Sequence, residues 1–334
     1  MKKVKIYGTL GPSCADAKTL EAMLREGMDG VRLNLSHTTL EASVPLVEAL
    51  HRAGRACGVE PELLIDLQGP ELRIGNLPAP LSLRAGERIN AARLLLPPEL
   101  SALLHRCPPG QALLLDDGKL LLTAEPPETD ETLPLRVVRG GLLERRKSVA
   151  LPGCEVLAPA LTETDRAQLA AARAYGVTAV MQPFVRSRED LLEVRSALNQ
   201  AGGQTIRLLA KIENAAGLEK LEALIPCCEE IVIARGDLGN AMPLWALPAA
   251  QKRIAAACRA AGRDFMVVTQ MLDSMTHRPV PTRAEVSDVF NAVLDGAASV
   301  MVTGETAAGD YPAQVIRYLT HTVREAEAYM KKFF

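Results

Sequence analysis

Short apolar runs rich in Val, Ile and Leu recur along the chain, each bounded by Gly, Pro or polar residues. Eight of them have the length and composition of strands buried on both faces: Val4–Leu10, Gly30–Leu35, Glu62–Leu67, Val177–Gln182, Ile206–Ile212, Glu230–Ala234, Asp264–Thr269 and Ser299–Thr303. Between them apolar residues fall three or four apart, which predicts helices over about 16–27, 39–58, 162–174, 187–201, 215–225, 245–261, 282–296 and 311–332. Such alternation predicts an α/β chain, either a (β/α)8 TIM barrel or an open doubly wound sheet. The polar residues favour the barrel. Each strand candidate ends in a polar or glycine-containing cluster: Gly8 to Pro12, Arg32 to His37, Asp66 to Arg73, Gln182 to Arg186, Lys211 to Asn214, Ala234 to Asp237, Thr269 to Met271 and Thr303 to Thr306. Ring closure brings all of these onto one rim, where barrel enzymes hold their chemistry, whereas an open sheet would disperse the outer ones.

From about 75 to 148 the alternation breaks into Pro-rich and Leu-rich short segments such as Leu81–Leu83, Ala112–Leu115, Lys119–Ala124 and Pro134–Val138. These predict a small β domain inserted after strand three, with a hairpin at Asp116-Asp117-Gly118. The expected organisation is therefore a barrel of residues 1–74 and 149–334, with residues 75–148 as a lid.

Composition narrows the partners. With 38 basic against 40 acidic residues and a formal charge of -2, the chain has no electrostatic footprint for nucleic acid or a membrane surface. The first residues turn polar again at Tyr7-Gly8-Thr9, and no stretch reaches membrane-spanning length, so the expectation is a cytoplasmic protein. The 7 cysteines never fall at a C-x-x-C spacing and read as free thiols.

The strand ends carry the candidate chemistry. Glu213 and Asp237 close strands five and six, neighbours in a barrel, where two carboxylates with open positions suit Mg2+. Lys211 lies two residues before Glu213 and points to the same side, toward the barrel interior. There it can stabilise a developing oxyanion, donate a proton if a cation lowers its pKa, or simply pair with Glu213. The glycines of Ala234-Arg235-Gly236-Asp237-Leu238-Gly239 let backbone N–H groups approach an anion such as a substrate carboxylate. Arg32 and Arg73 are candidates for phosphate contacts or for rim salt bridges.

Taken in order, Val31-Arg32-Leu33-Asn34-Leu35-Ser36-His37, Lys211-Ile212-Glu213-Asn214, Ala234-Arg235-Gly236-Asp237-Leu238-Gly239, Thr269 to Met275, Pro281 to Glu285 and Gly304-Glu305-Thr306-Ala307 resemble the motifs of the pyruvate kinase family. The resemblance implies phosphoryl transfer from phosphoenolpyruvate to ADP, giving pyruvate and ATP in glycolysis, with Mg2+ (or Mn2+) and K+. It implies Glu213 and Asp237 as Mg2+ ligands, and Asn34, Ser36, Asp66 and the Leu67 carbonyl as the K+ site. Lys211 would stabilise the transferring group and the enolate, Thr269 would belong to the protonating network, and Arg73 would face the transferring phosphate. Arg32, Asn34, His37 and Lys147 would lie near the nucleotide phosphates, and N–H groups around Arg235, Gly236 and Asp237 would bind the substrate carboxylate.

Departures from the family pattern fall at Gln68 for a lysine, Leu67 for a threonine, Pro183 for a serine, Ala150 for an asparagine and Thr38 for a glycine. They touch nucleotide and substrate surroundings more than the Lys211, Glu213 and Asp237 core, so activity is the expectation. A catalytically impaired binding relative and an Mg2+-dependent aldolase or lyase acting on an enolate are the alternatives. Family members usually continue into a further, regulatory domain after the eighth helix. The expectation here is a chain without one, and so a homodimer rather than a tetramer.

Overall fold

The computed structural model describes residues 3–69, 72–116, 118–127, 132–154 and 159–333. The chain divides into two compact units, one of Met1–Gly69, Ala160–Arg235 and Leu247–Phe334, the other of Pro70–Pro159 and Gly236–Ala246.

The larger unit is a closed parallel barrel of strands β1 (Lys5–Thr9), β2 (Gly30–Asn34), β3 (Glu62–Asp66), β4 (Ala179–Gln182), β5 (Arg207–Ile212), β6 (Glu230–Ala234), β7 (Asp264–Val268) and β8 (Ser299–Met301). Each strand pairs with its neighbours in the chain, and β1 pairs with β8 to close the ring. Helices follow the strands: Ala17–Arg25, Val44–Cys57, Glu163–Ala171, Arg188–Gln200, Leu247–Ala260, Arg283–Leu294 and Pro312–Phe333. Their starts are chemically marked. Thr162 with Asp165, and Thr282 with Glu285, form reciprocal caps in which each side chain accepts the other residue's backbone N–H. The second helix begins at Val44 rather than at 39, because Pro45 lacks an N–H and fits only the first turn. The periodic stretch 215–225 is broken into Ala215–Glu219 and Leu221–Leu224, and a tight turn follows at Ile225–Cys227 around Pro226.

Side chains alternate along each strand, so residues two apart share the barrel interior. The interior is built in storeys. A middle storey is apolar: Tyr7, Leu64, Ala179, Met181, Leu209, Val232, Ala234, Met266, Val268 and Met301 form one buried cluster. Two residues earlier on their strands, Lys5, Glu62, Arg207, Glu230 and Ser299 make a polar floor. Glu62 pairs with both Lys5 and Arg207 and accepts from the Tyr7 hydroxyl at 2.9 Å. Arg207 also reaches Glu230 at 3.2 Å, and Ser299 donates to Glu230. Burial pushes Glu230 and the Tyr7 phenol upward. Glu62 is held down, because Lys5 and Arg207 outweigh its own burial. Gly30 sits where β2 and β3 come close: a Cβ there would lie 2.5 Å from the Glu62 carbonyl oxygen.

The smaller unit contains a five-stranded antiparallel sheet and a two-stranded pair, Leu81–Leu83 with Gly141–Leu143. Ala112–Leu115 and Leu120–Ala124 pair antiparallel about the expected hairpin, whose Asp117 lies outside the described residues. The unit has its own core of leucines, among them Leu94, Leu100, Leu104, Leu113, Leu122 and Leu135. It also holds a helix, Pro98–Arg106, beyond the short strands expected from the sequence. Proline in its first turn and Leu100 and Leu104 four apart account for it.

Candidate functional site

Above the apolar storey the same two-residue step carries β3 from Leu64 to Asp66, and β5 from Leu209 to Lys211 and on to Glu213. Four charged side chains meet there. Arg32 donates to Asp66 Oδ2 through Nε at 2.9 Å and Nη2 at 2.7 Å. Lys211 Nζ lies 3.0 Å from Asp66 Oδ2 and 3.0 Å from Glu213 Oε1. The side chains of Asp66 and Glu213 are 2% exposed, Lys211 12% and Arg32 13%, so the charges are largely withdrawn from water. Burial alone would raise the Asp66 carboxyl, but Lys211 and Arg32 outweigh it and hold it below the usual carboxylate range. Burial would likewise discharge Lys211, yet Asp66 and Glu213 outweigh it and raise its pKa, so the lysine is a fixed cation. Of the readings anticipated for Lys211, the ion pair with Glu213 is seen directly, and a second pairing with Asp66 joins it.

Asn34 stands opposite Asp66 in the β2–β3 register, and its Oδ1 accepts the Ser36 N–H at 3.1 Å. Leu67, directly after Asp66, is buried, and His37 is exposed. The oxygens of Asn34 and Asp66 are thus engaged by the Ser36 N–H and by Arg32 and Lys211. The following turn is held from a distance: buried Asp165 accepts the N–H groups of Gln68 at 2.9 Å and Gly69 at 3.1 Å, as well as the Thr162 hydroxyl at 2.7 Å. Gly69 has φ +58°, and a Cβ on it would meet Pro183 Cγ at 2.5 Å. Pro70 and Glu71, which complete that motif, lie outside the described residues.

Strain concentrates where the strands end. Phe184, Thr269 and Gln270 have φ of 52°, 75° and 54°, a region that costs a non-glycine residue about 1–3 kcal/mol and is tolerated only when surroundings enforce it. The enforcement is visible. Phe184 N–H donates to Glu213 Oε2 at 2.8 Å. The Arg235 guanidinium donates to the Thr269 carbonyl at 2.7 Å and the Gln270 carbonyl at 3.1 Å, while its Nη1 is braced 2.6 Å from Asp288. Buried Glu305 accepts the N–H groups of Leu272 and Thr303 at 3.2 and 2.7 Å, tying the two neighbouring loops together. The Arg235 side chain is thus a brace for the loop that carries Thr269. Asp165 and Asp288 were not singled out from the sequence and Glu305 stood there only within a motif; nothing near them in the chain announces these long-range partners.

The remaining candidates belong to the smaller unit. Arg73 donates to the Arg146 carbonyl at 2.9 Å, and Lys147 lies 3.0 Å from Asp116 and 3.5 Å from Glu144, pairings that raise its pKa. Gly236 and Asp237 lie in the helix Arg235–Asn240 that starts directly after β6. Among the described residues no group of three or more His, Cys, Asp or Glu side chains is arranged to hold a metal. Glu213 belongs to the larger unit and Asp237 to the smaller one, and each offers carboxylate oxygens, the donor type a divalent ion prefers. No helix among the described residues is long and apolar enough to cross a membrane.

Cations kept buried at the C-terminal rim of a barrel, with loops strained around them, serve an anion or negative charge that develops in a reaction. The class these features define is a barrel enzyme with its chemistry at the strand ends. Comparison with known proteins gives the family: the family model "Pyruvate kinase, barrel domain" matches residues 1–316. Pyruvate kinase of Leishmania mexicana is 34% identical over 99% of this chain and 68% of its own length. The Methylorubrum extorquens pyruvate kinase is 37% identical over 98% of this chain and 69% of its own length. That of Bacillus licheniformis is 33% identical over 98% of this chain and 57% of its own length. The chain belongs to the pyruvate kinase family, whose members are phosphotransferases.

Proposed function

We propose that this chain transfers the phosphoryl group of phosphoenolpyruvate to ADP, giving pyruvate and ATP, at the rim of its barrel. The observation that carries the reading is the buried Arg32, Asp66, Lys211 and Glu213 cluster, two cations and two carboxylates balanced in a site shielded from solvent. Phosphoryl transfer asks mainly for positioning and for charge stabilisation. Lys211, held ionised, supplies a preorganised cation for the transferring group and for the enolate oxygen left behind. Arg32, anchored through Nε and Nη2 on Asp66, keeps Nη1 for a phosphate oxygen. Thr269, fixed by the Arg235 brace, orients the proton donor that turns the enolate into pyruvate. Asn34 ends β2 and His37 follows three residues later, both proposed to face the nucleotide phosphates.

Mg2+ or Mn2+, when bound, neutralises phosphate charge and polarises the substrate, and Glu213 would hold it with the oxygen not committed to Lys211. K+ would take Asn34, Ser36, Asp66 and the Leu67 carbonyl. For the smaller unit, the motifs propose a phosphate contact for Arg73, a nucleotide contact for Lys147, a divalent-ion ligand in Asp237, and N–H donors to the substrate carboxylate at Gly236 and Asp237. The Gln68 and Leu67 departures alter side chains in a turn whose backbone Asp165 holds, which favours activity over a binding-only relative. A cytoplasmic homodimer completes the proposal; sedimentation would test the dimer.

The decisive experiment couples pyruvate formation to lactate dehydrogenase, with phosphoenolpyruvate, ADP, Mg2+ and K+ present. Turnover that depends on both ions is expected. Pyruvate formation no faster than the no-enzyme control at saturating substrates would sink the proposal.

A further inference from the structure

Four of the cysteines, Cys14, Cys57, Cys227 and Cys228, donate their thiols to main-chain carbonyls. Cys107 and Cys154 instead face each other in the smaller unit, sulfur to sulfur at 3.6 Å, across 47 residues of chain. A disulfide needs about 2.05 Å, so the sulfurs must close by roughly 1.5 Å, a distance that side-chain rotation supplies without unfolding either segment. We propose that Cys107 and Cys154 are a redox-modification site, joining reversibly into a disulfide when the protein meets a peroxide or a small-molecule disulfide.

The pair is built into the unit. Cys107 N–H donates to the Leu104 carbonyl at 3.2 Å, and Cys154 N–H to the Leu151 carbonyl at 3.1 Å. Leu104 and Leu151 are both members of the unit's buried core, and Cys154 packs against that core. Gln111 stitches the two segments by donating to the Pro152 carbonyl at 2.9 Å. Both cysteines are partly exposed, so oxidant and reductant reach them, whereas Cys14, Cys228 and Cys258 are buried.

The chemistry balances. One thiolate attacks a peroxide oxygen and breaks the O–O bond, forming a sulfenic acid and releasing hydroxide, which leaves as water with the departed thiol proton. The second sulfur attacks the sulfenic sulfur, expelling hydroxide that its own proton converts to water. Two thiols and one peroxide become one disulfide and two waters. Burial, reinforced by the hydrogen bond to Cys154, raises the Cys107 thiol. Bridging is therefore slow at neutral pH and quickens as pH rises. The product ties the end of helix Pro98–Arg106 to the segment after the strand Val149–Ala150 and restricts the unfolded chain between them.

The test treats the whole chain with hydrogen peroxide at pH 7 and pH 9, alkylates it and digests it without reductant. Mass spectrometry should find a Cys107–Cys154 cross-linked pair about 2 Da lighter than the two free thiols. It should form faster at pH 9, vanish with dithiothreitol, and raise the thermal midpoint of the smaller unit by about 5 °C or more. Cys107→Ser and Cys154→Ser should each abolish it, and Cys57→Ser should leave it unchanged. Separate oxidation of the two sulfurs to sulfinic acids, equal bridging to Cys57 or Cys227, or reduced Cys107 and Cys154 beside oxidised Cys57 would each overturn the inference. None of these outcomes bears on the phosphoryl-transfer reading.

Discussion

Replacing Asp66 with asparagine keeps the side chain's shape and removes its charge. In the folded protein that carboxylate accepts from Arg32 at 2.9 and 2.7 Å and from Lys211 at 3.0 and 3.3 Å. The substitution shifts a cluster of two cations and two anions to a net positive one. It also turns amide N–H groups toward donors and leaves two nearly buried cations to share Glu213. Removing one partner of a buried pair costs about 3–5 kcal/mol, because the stranded charge keeps its desolvation penalty. At roughly 2–4 °C per kcal/mol this lowers the thermal midpoint by about 6–20 °C. Urea unfolding followed by circular dichroism should show a lower midpoint with an unchanged slope. A second arm adds Lys211→Met, which removes one stranded cation. The double variant should be more stable than the sum of the single losses indicates, by about 1–3 kcal/mol. A loss below about 1 kcal/mol for Asp66→Asn, or strict additivity in the cycle, would refute the reading of the four charges as one unit.

Lys211→Met alone should cut kcat by about 100-fold or more while Mg2+ binding, followed calorimetrically, persists; a variant keeping a tenth of the rate would contradict a charge-stabilising role. Asp165→Ala frees the N–H groups of Gln68 and Gly69, and urea unfolding should register a loss of about 1–3 kcal/mol together with a raised KM for phosphoenolpyruvate. Thr269→Gly relieves a φ of 75°, so stability should hold or rise by about 1 kcal/mol even as the coupled assay shows turnover falling. Burial pushes the thiols of Cys14 up to about 11, and of Cys228 and Cys258 to about 12, so almost none is thiolate at pH 8. Iodoacetamide at pH 8 should therefore spare these three in the native protein and label all 7 cysteines in urea.

The barrel and the heart of its rim were legible in the sequence because both obey short-range rules. Apolar runs mark the strands, and a two-residue step puts Lys211 and Glu213 on one side. What escaped was held by partners distant in the chain. Asp165 reads as a helix cap, and only the fold brings it to Gln68 and Gly69, about a hundred positions earlier. Arg235 stood in a motif read for its backbone N–H groups, and the bracing of the loop after β7 by its guanidinium is a separate role that only the fold reveals. Positive φ at Thr269 was equally hidden, since a β-branched residue is a poor local signal for that conformation and tertiary enforcement overrides the preference.

The polar floor beneath the apolar storey has a meaning for traffic. Lys5, Glu62, Arg207 and Glu230 plug the barrel's lower end with mutually satisfied charges, and ten tightly packed side chains lie above them. Among the described residues the barrel is thus filled from its floor to its rim and offers no passage through its centre. A ligand held at the rim therefore rests on a solid base and exchanges with solvent on the rim side.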